Sequence, residues 1–318
     1  MADEIPARGS WDKEDERLDS LFVSQDPRIL ASFYEAFATP GDLIRWMRAR
    51  PKGRVEIIED PGGGDVVAVI PTVSNAGALT QRLRKEVFTG IRMVVAESGK
   101  NPYFNYAASV NAGVARALES NPKWIVVSND DMSLIDQPQV LVRELSSLDD
   151  SSVDIAFTTP PGSYHSYHAR VGSPRRLRNM MWYLIDRYHR TRARLDGKLR
   201  TRLATKIYPY MDAFPYNFIY KENTADRCRF INPGSFAIYS AKLVKELRQP
   251  LLDDTYINGW EDADLGIRLS RRHSRTGFVR YRIGDSLGAS LGPFSSARTL
   301  REIANAVYFN YKLRNGDL

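Results

Sequence analysis

Three short apolar runs, separated by two stretches of helical periodicity, limit what this chain can fold into. Val66-Val67-Ala68-Val69-Ile70 ends at Pro71 and the turn Thr72-Val73-Ser74-Asn75. Ile91 to Val95 ends at Glu97-Ser98-Gly99, and Trp124 to Val127 runs into Ser128-Asn129-Asp130-Asp131. Continuous valine-rich runs of this length fit strands buried on both faces, as in a parallel sheet. Between them, Gly77 to Val87 carries leucines at 79 and 83, and Tyr106 to Leu118 sets Val110, Val114 and Leu118 at four-residue steps. That spacing is one face of a helix. Strand–helix–strand alternation predicts an α/β fold, a doubly wound and mostly parallel sheet with right-handed crossovers.

In such sheets a ligand sits beyond the carboxyl ends of the strands. Glu97 and the cluster Asn129-Asp130-Asp131 fall there. Two neighbouring aspartates after a buried strand suit a divalent cation held against a diphosphate, because Mg2+ keeps only one or two carboxylates beside phosphate and water oxygens. The same Asn-Asp pairing also suits a simple turn. No G-x-x-x-x-G-K-[ST] loop is present, which argues against a P-loop kinase or ATPase. The glycines of Pro61-Gly62-Gly63-Gly64 precede the first strand and read as a linker, so a dinucleotide dehydrogenase is disfavoured.

A second acidic feature lies at Trp260-Glu261-Asp262-Ala263-Asp264-Leu265-Gly266-Ile267-Arg268-Leu269. In a helix starting near Glu261, that residue complements the helix N-terminus. Asp264 stands four residues before Arg268, as in a solvent-type ion pair. Asp262 shares a face with Leu265 and Leu269, and a carboxylate on an apolar side needs a task or a partner.

Taken in order, these segments resemble family-2-type glycosyltransferases of the GT-A fold. Val67-Ala68-Val69-Ile70-Pro71-Thr72 is similar to their opening strand, and Val94 to Gly99 to their second strand and its acidic nucleoside-binding end. Asn111-Ala112-Gly113 looks like their N-x-G helix, and Asn129-Asp130-Asp131 like their metal motif. Asn232-Pro233-Gly234-Ser235-Phe236-Ala237-Ile238 resembles the glycine-led acceptor-side strand, and Glu261-Asp262-Ala263-Asp264-Leu265 the E-D-x-D-L helix with the catalytic base. The tail Tyr308 to Asn315 is reminiscent of an aromatic, Arg-Asn-ended tail. The resemblance spans roughly residues 65–160 and 228–315. It departs at the metal motif, where Ser128 or Asn129 replaces a first aspartate. It departs again near Ile283 to Gly288, where no histidine is present and Asp285 is the candidate replacement.

The resemblance implies an inverting transfer of a sugar from a nucleotide-sugar (UDP-, GDP- or dTDP-linked) to an acceptor hydroxyl. Asp262 would be general base, and Asp130 and Asp131 would hold Mn2+ or Mg2+. Pro71, Thr72, Asn75, Glu97, Asn111 and Asn129 would surround the donor; Gly234, Trp260 and Glu261 would face a glycan or lipid-linked acceptor. A sugar-nucleotide pyrophosphorylase fits less well, since the loop after its first strand needs glycine and arginine. The non-enzymatic alternative is a glycosyltransferase-like scaffold that binds through its basic segment.

That segment, residues 170–206, concentrates arginine and lysine against only Asp186 and Asp196, in a chain of 318 residues whose net charge is +7. Leu195, Leu199 and Leu203 give it one apolar helical edge. A basic amphipathic helix suits an anionic membrane surface or a phosphorylated acceptor. Nucleic acid is disfavoured, since no recognisable binding module accompanies the charge. One cysteine, Cys228, and a polar, acidic beginning predict a cytoplasmic protein, peripheral at the inner face of the membrane. The expected organisation is a helical arm (1–64), a donor half (65–160), a basic insertion (161–228), and an acceptor and catalytic half with a terminal helix (229–318).

Overall fold

The computed structural model describes residues 26–100, 103–158, 167–171, 228–247, 249–285 and 296–317, with Leu21 and Ser24. Two helices open it, α1 (Pro27–Glu35) and α2 (Pro40–Ala49). The second begins in a capping box, where Thr39 accepts the Asp42 N–H and the Asp42 carboxylate accepts the Thr39 N–H, satisfying two amides that a helix start leaves bare.

The central strands are β1 (Glu56–Asp60), β2 (Gly63–Thr72), β3 (Ile91–Glu97), β4 (Trp124–Ser128), β6 (Ile155–Phe157), β9 (Phe236–Ser240) and β10 (Thr276–Phe278). They form one seven-stranded sheet in the order β1-β3-β2-β4-β9-β6-β10. Pairs β2–β3, β2–β4 and β6–β10 are parallel, whereas β1–β3, β4–β9 and β6–β9 are antiparallel. Five of the seven strands run in one direction, and the sheet is mixed because β9 returns against its neighbours and β1 caps an edge in reverse. Separate two-stranded ribbons join β5 (Met132–Leu134) to β11 (Ile283–Asp285) and β7 (Tyr167–Val171) to β8 (Cys228–Asn232).

The valine run of β2 is buried on both faces, as its composition predicts. Val67 and Val69 pack toward α4 (Tyr106–Leu118), against Val110 and Val114. Val66, Ala68 and Ile70 face the opposite layer, which holds Leu83, Val87, Leu141 and Leu145. Leu83 and Val87 belong to a π-helical turn, Leu83–Val87, that continues α3 (Ala78–Arg82); Leu141 and Leu145 lie on α5 (Pro138–Ser146). A Cβ on Gly113 would meet Val69 Cγ1 at 2.5 Å, so α4 crosses β2 where only glycine fits. This accounts physically for the glycine of the N-x-G segment.

Two expected boundaries move. Residues 56–60, expected in the helical arm, form an edge strand of the sheet, and the glycines 62–64 make the tight passage from β1 into the start of β2 rather than a linker. A Cβ at Gly62 would lie 2.0 Å from the Arg92 nitrogen, and Gly64 has φ +89°. In the second half, β7 lies inside the expected insertion and pairs with β8 from Tyr167↔Asn232 to Val171↔Cys228. The chain just before residue 172 therefore pairs with the chain just after residue 227. All but Arg170 and Val171 of the segment 170–206, with its leucine edge, lies outside the described residues. The chain closes with α6 (Ala241–Glu246), α7 (Glu261–Arg271) and α8 (Ser296–Asn315). Among the described residues no helix is long and apolar enough to cross a membrane.

Candidate active site

Strands β2, β3 and β4 all end on one edge of the sheet, and their last residues meet there. Thr72, at the end of β2 and buried between Pro71 and the following turn, donates its hydroxyl to Asp130 Oδ2 at 2.7 Å. Its oxygen also lies 3.1 Å from Thr80 Oγ1. Glu97, at the end of β3, accepts the Asn75 N–H at 3.0 Å. The Asn75 carboxamide oxygen is taken by Arg84, whose guanidinium also binds Asp60. Arg82 donates to the carbonyls of Asp131 (3.2 Å) and Met132 (2.9 Å), fixing the backbone of the acidic turn. The π-helical turn just after Arg82 keeps it on the sheet edge; such turns often sit at functional sites.

Helix α7 approaches the same edge from the other half of the chain. Its first residue follows a strained corner, with Asn258 at φ +46° and Trp260 at φ +75°. Non-glycine residues in this region cost about 1–3 kcal/mol and persist where surroundings over-determine them. Four asparagines supply that surrounding. Asn105 donates to the carbonyls of Asp254 and Tyr256, and Asn111 closes both ends of its amide on Leu252. Asn258 caps Tyr106 N–H at 2.8 Å, and Asn305 brackets both backbone groups of Ile257.

The two acidic segments converge at Tyr106. Its hydroxyl donates to Asn129 Oδ1 at 2.9 Å. Enclosure of that hydroxyl, then the charges of Glu261, Asp262, Asp130 and Asp131, push its ionisation far above the ordinary phenol range. Tyr239, on β9, is raised in the same direction by burial and by its neighbours Tyr106 and Asp262. Acids about 130 positions apart in sequence thus act on the same hydroxyl. Tyr106 is a residue that helical periodicity alone marks only as the start of α4.

The roles of the three α7 acids need correcting. Asp264 makes no solvent-type pair; it is wholly enclosed, accepts from Arg268 Nε (2.8 Å) and Tyr256 hydroxyl (3.0 Å), and contacts the buried Lys312 ammonium. Asp262 is only partly covered and accepts the Ala263 N–H at 2.8 Å, so it does not point into the apolar core. Glu261 is buried at 6 % exposure, which removes it from direct reach of an acceptor. Burial, with Asp262 adding to it, pushes its carboxyl up to about 8. Helix α7 is buried at Glu261, from Asp264 through Ile267 and at Leu269, while Asp262 and Ala263 in its first turn stay partly accessible.

Other expected contacts divide clearly. Asn111, expected at the donor, is consumed by Leu252. Trp260 sets its ring edge-on to Phe309 at 5.4 Å and stays partly accessible beside Asp262. Gly234, with φ +60°, forms the turn between β8 and β9. Asn129 N–H donates to the Ser235 carbonyl at 2.9 Å, tying that turn to the acidic cluster. Register places Asp285 opposite Met132, one residue from Asp131. A pocket of about 410 Å³ lies elsewhere, lined by Arg48, Asp253, Arg268, Tyr308 and Lys312 among others, and contains none of the expected site residues.

Among the described residues no cluster of three or more histidine, cysteine or acidic side chains forms a ready metal cage. The donor set of Asp130 and Asp131 fits a cation that takes the rest of its oxygens from a diphosphate and water, the usual habit of Mg2+. Compared with models of protein families and with curated proteins, the chain finds no match.

Proposed function

We propose that this protein is an inverting glycosyltransferase of the GT-A type. It moves a sugar from a nucleotide-sugar to a hydroxyl of a glycan or lipid-linked acceptor. The observation that carries the reading is that Tyr106, whose hydroxyl donates to Asn129 beside Asp130 and Asp131, feels the charges of those two acids and of Asp262 at once, at the carboxyl ends of β2, β3 and β4. The mixed α/β sheet is compatible with it, and ligands in such sheets gather at this edge.

Asp262 is the general base. Partly accessible at the first turn of α7, it takes the proton of the acceptor hydroxyl as that oxygen attacks the anomeric carbon. The bond from that carbon to the diphosphate oxygen breaks on the opposite face, so one carboxylate suffices and the configuration inverts. Asp130 and Asp131 would hold Mn2+ or Mg2+, which would supply Lewis-acid neutralisation of the leaving diphosphate. Thr72 and Arg82 hold those acids in place, and Glu97 with Arg84 fixes the Asn75 loop against the nucleoside.

The test is turnover of UDP-, GDP- and dTDP-sugars with Mn2+, Mg2+ or EDTA. Asp262→Asn is expected to lower transfer by about 10²–10⁴-fold, the usual worth of a general base, with donor affinity within twofold of wild type. Donor titration by calorimetry should weaken in EDTA and in Asp130→Asn. Absence of turnover with every donor refutes the reading and leaves a binding or scaffold role. A variant Asp262→Asn retaining more than a tenth of the rate removes Asp262 as base.

A further inference from the structure

The N-terminal helices lie outside the region that resembles glycosyltransferases, yet they end inside the candidate site. Helix α1 docks on α8 through Tyr34, whose hydroxyl contacts the Leu300 carbonyl and accepts the Ala304 N–H at 3.3 Å. Arg301 of α8 returns the contact, donating to the Leu21 carbonyl at 2.9 Å. Just past α2, Arg50 is 4 % exposed and donates Nη2 to the Tyr256 carbonyl at 2.8 Å. Its Nε and Nη1 are buried and meet no hydrogen-bond partner among the described residues. Glu261 Oε2 is in the same condition.

The two groups belong together electrostatically. Burial lowers the Arg50 guanidinium to about 10, opposed by the carboxylates of Asp254 and Glu261. Lys52 and Gly53 fasten the same stretch, the first to Asp254 at 2.6 Å and the second to the Tyr103 carbonyl at 2.8 Å. A buried charge without a partner is costly, so an opposite charge at short range decides its protonation.

We propose that Arg50 is a positioning residue for the acidic start of α7. It pins the Tyr256 carbonyl from a buried site whose remaining nitrogens, like Glu261 Oε2, have no hydrogen-bond partner among the described residues, so the N-terminal arm fixes where Asp262 stands. The functional part of this inference rests on reading Asp262 as the base; the Arg50–Glu261 coupling does not. Groups facing Glu261 are Asp262 and Asp264 on its own helix, Arg50 from the arm and Tyr106 from α4.

The experiment uses the full chain carrying Arg50→Gln or Arg50→Lys. Amide exchange of residues 256–262 is expected to quicken at least tenfold in Arg50→Gln and less in Arg50→Lys, with β2 to β4 unchanged. The titration of Glu261, followed by carboxyl ¹³C resonance, should move up by at least half a pH unit in Arg50→Gln, because an opposite charge favours ionisation. Donor KM should hold while kcat falls. Unchanged exchange and an unchanged titration would overturn the proposal, leaving Arg50 as packing alone. If Arg50→Gln does not fold, Arg50→Met, which also removes the charge, carries the same two readouts. If both shift but the wild type turns over no nucleotide-sugar, the coupling stands and the catalytic role of Asp262 falls.

Discussion

Replacing Asp264 by asparagine separates two physical accounts of the E-D-x-D segment. As an exposed i,i+4 partner of Arg268, Asp264 would contribute only about 0.3–0.5 kcal/mol. In the structure it has no accessible surface and joins three groups: Arg268 at 2.8 Å, the Tyr256 hydroxyl at 3.0 Å and Lys312. Lys312 and Arg268 are themselves only 6 % and 10 % exposed at their side chains. Breaking a buried pair leaves an uncompensated charge and costs about 3–5 kcal/mol. Asparagine has the same shape, so no cavity adds to this. Lys312 keeps Asp253 at 2.8 Å and Arg268 keeps the Leu251 carbonyl at 2.6 Å, which puts the expected loss near the lower end. About 3 kcal/mol at about 2 °C per kcal/mol lowers Tm by about 6 °C. Urea and thermal unfolding of Asp264→Asn, Lys312→Met and the double variant measure it, with an expected coupling of about 1–3 kcal/mol. A loss under 1 kcal/mol with no coupling would refute the buried-network account.

Two further outcomes follow from the same geometry. Glu261, whose ordinary value is 4.5, is raised to about 8, so the folded state holds its proton where the unfolded chain has lost it. Its contribution is whole below about 4.5 and declines as pH rises toward 8, by up to about 1.4 kcal/mol per unit. Urea unfolding at pH 5, 6.5 and 8 should show that decline in wild type and a flatter profile in Glu261→Gln; equal slopes would rule it out. For the basic segment 170–206, co-sedimentation with anionic vesicles is expected at low salt and should fade at high salt. Equal behaviour with neutral vesicles would leave the segment without a membrane role.

The central strands were legible because a valine run buried on both faces has no other common explanation, and β2, β3 and α4 fall where the pattern puts them. The edge strand β1 was not. Its sequence Glu56-Ile57-Ile58-Glu59-Asp60 carries acids at both ends, as unpaired sheet edges commonly do. Glu59 finds its partners in Arg92 and Arg116, far along the chain. The reversed direction of β9 was equally hidden, since it depends on how the chain returns after a long insertion. Asp264 failed for the same reason. An Asp and an Arg four residues apart look solvated until a lysine 48 positions later closes over them.

What local patterns missed, then, is the support of the site rather than its acids. The stretch from Leu252 to Trp260 has no regular secondary structure, so its buried backbone groups must find side-chain partners or lose stability. Asn105 and Asn111 provide them from α4, Arg50 from the arm and Asn305 from the terminal helix. Each contact joins residues 48 to 206 positions apart, beyond the reach of any helical or strand period. The strain at Asn258 and Trp260 is tolerable because these partners leave the corner no alternative path. The first turn of α7 begins at that corner, so these partners fix where Asp262 stands. Loss of any one partner should therefore loosen the acids of α7 before it disturbs the sheet, whose two hydrophobic faces close without them.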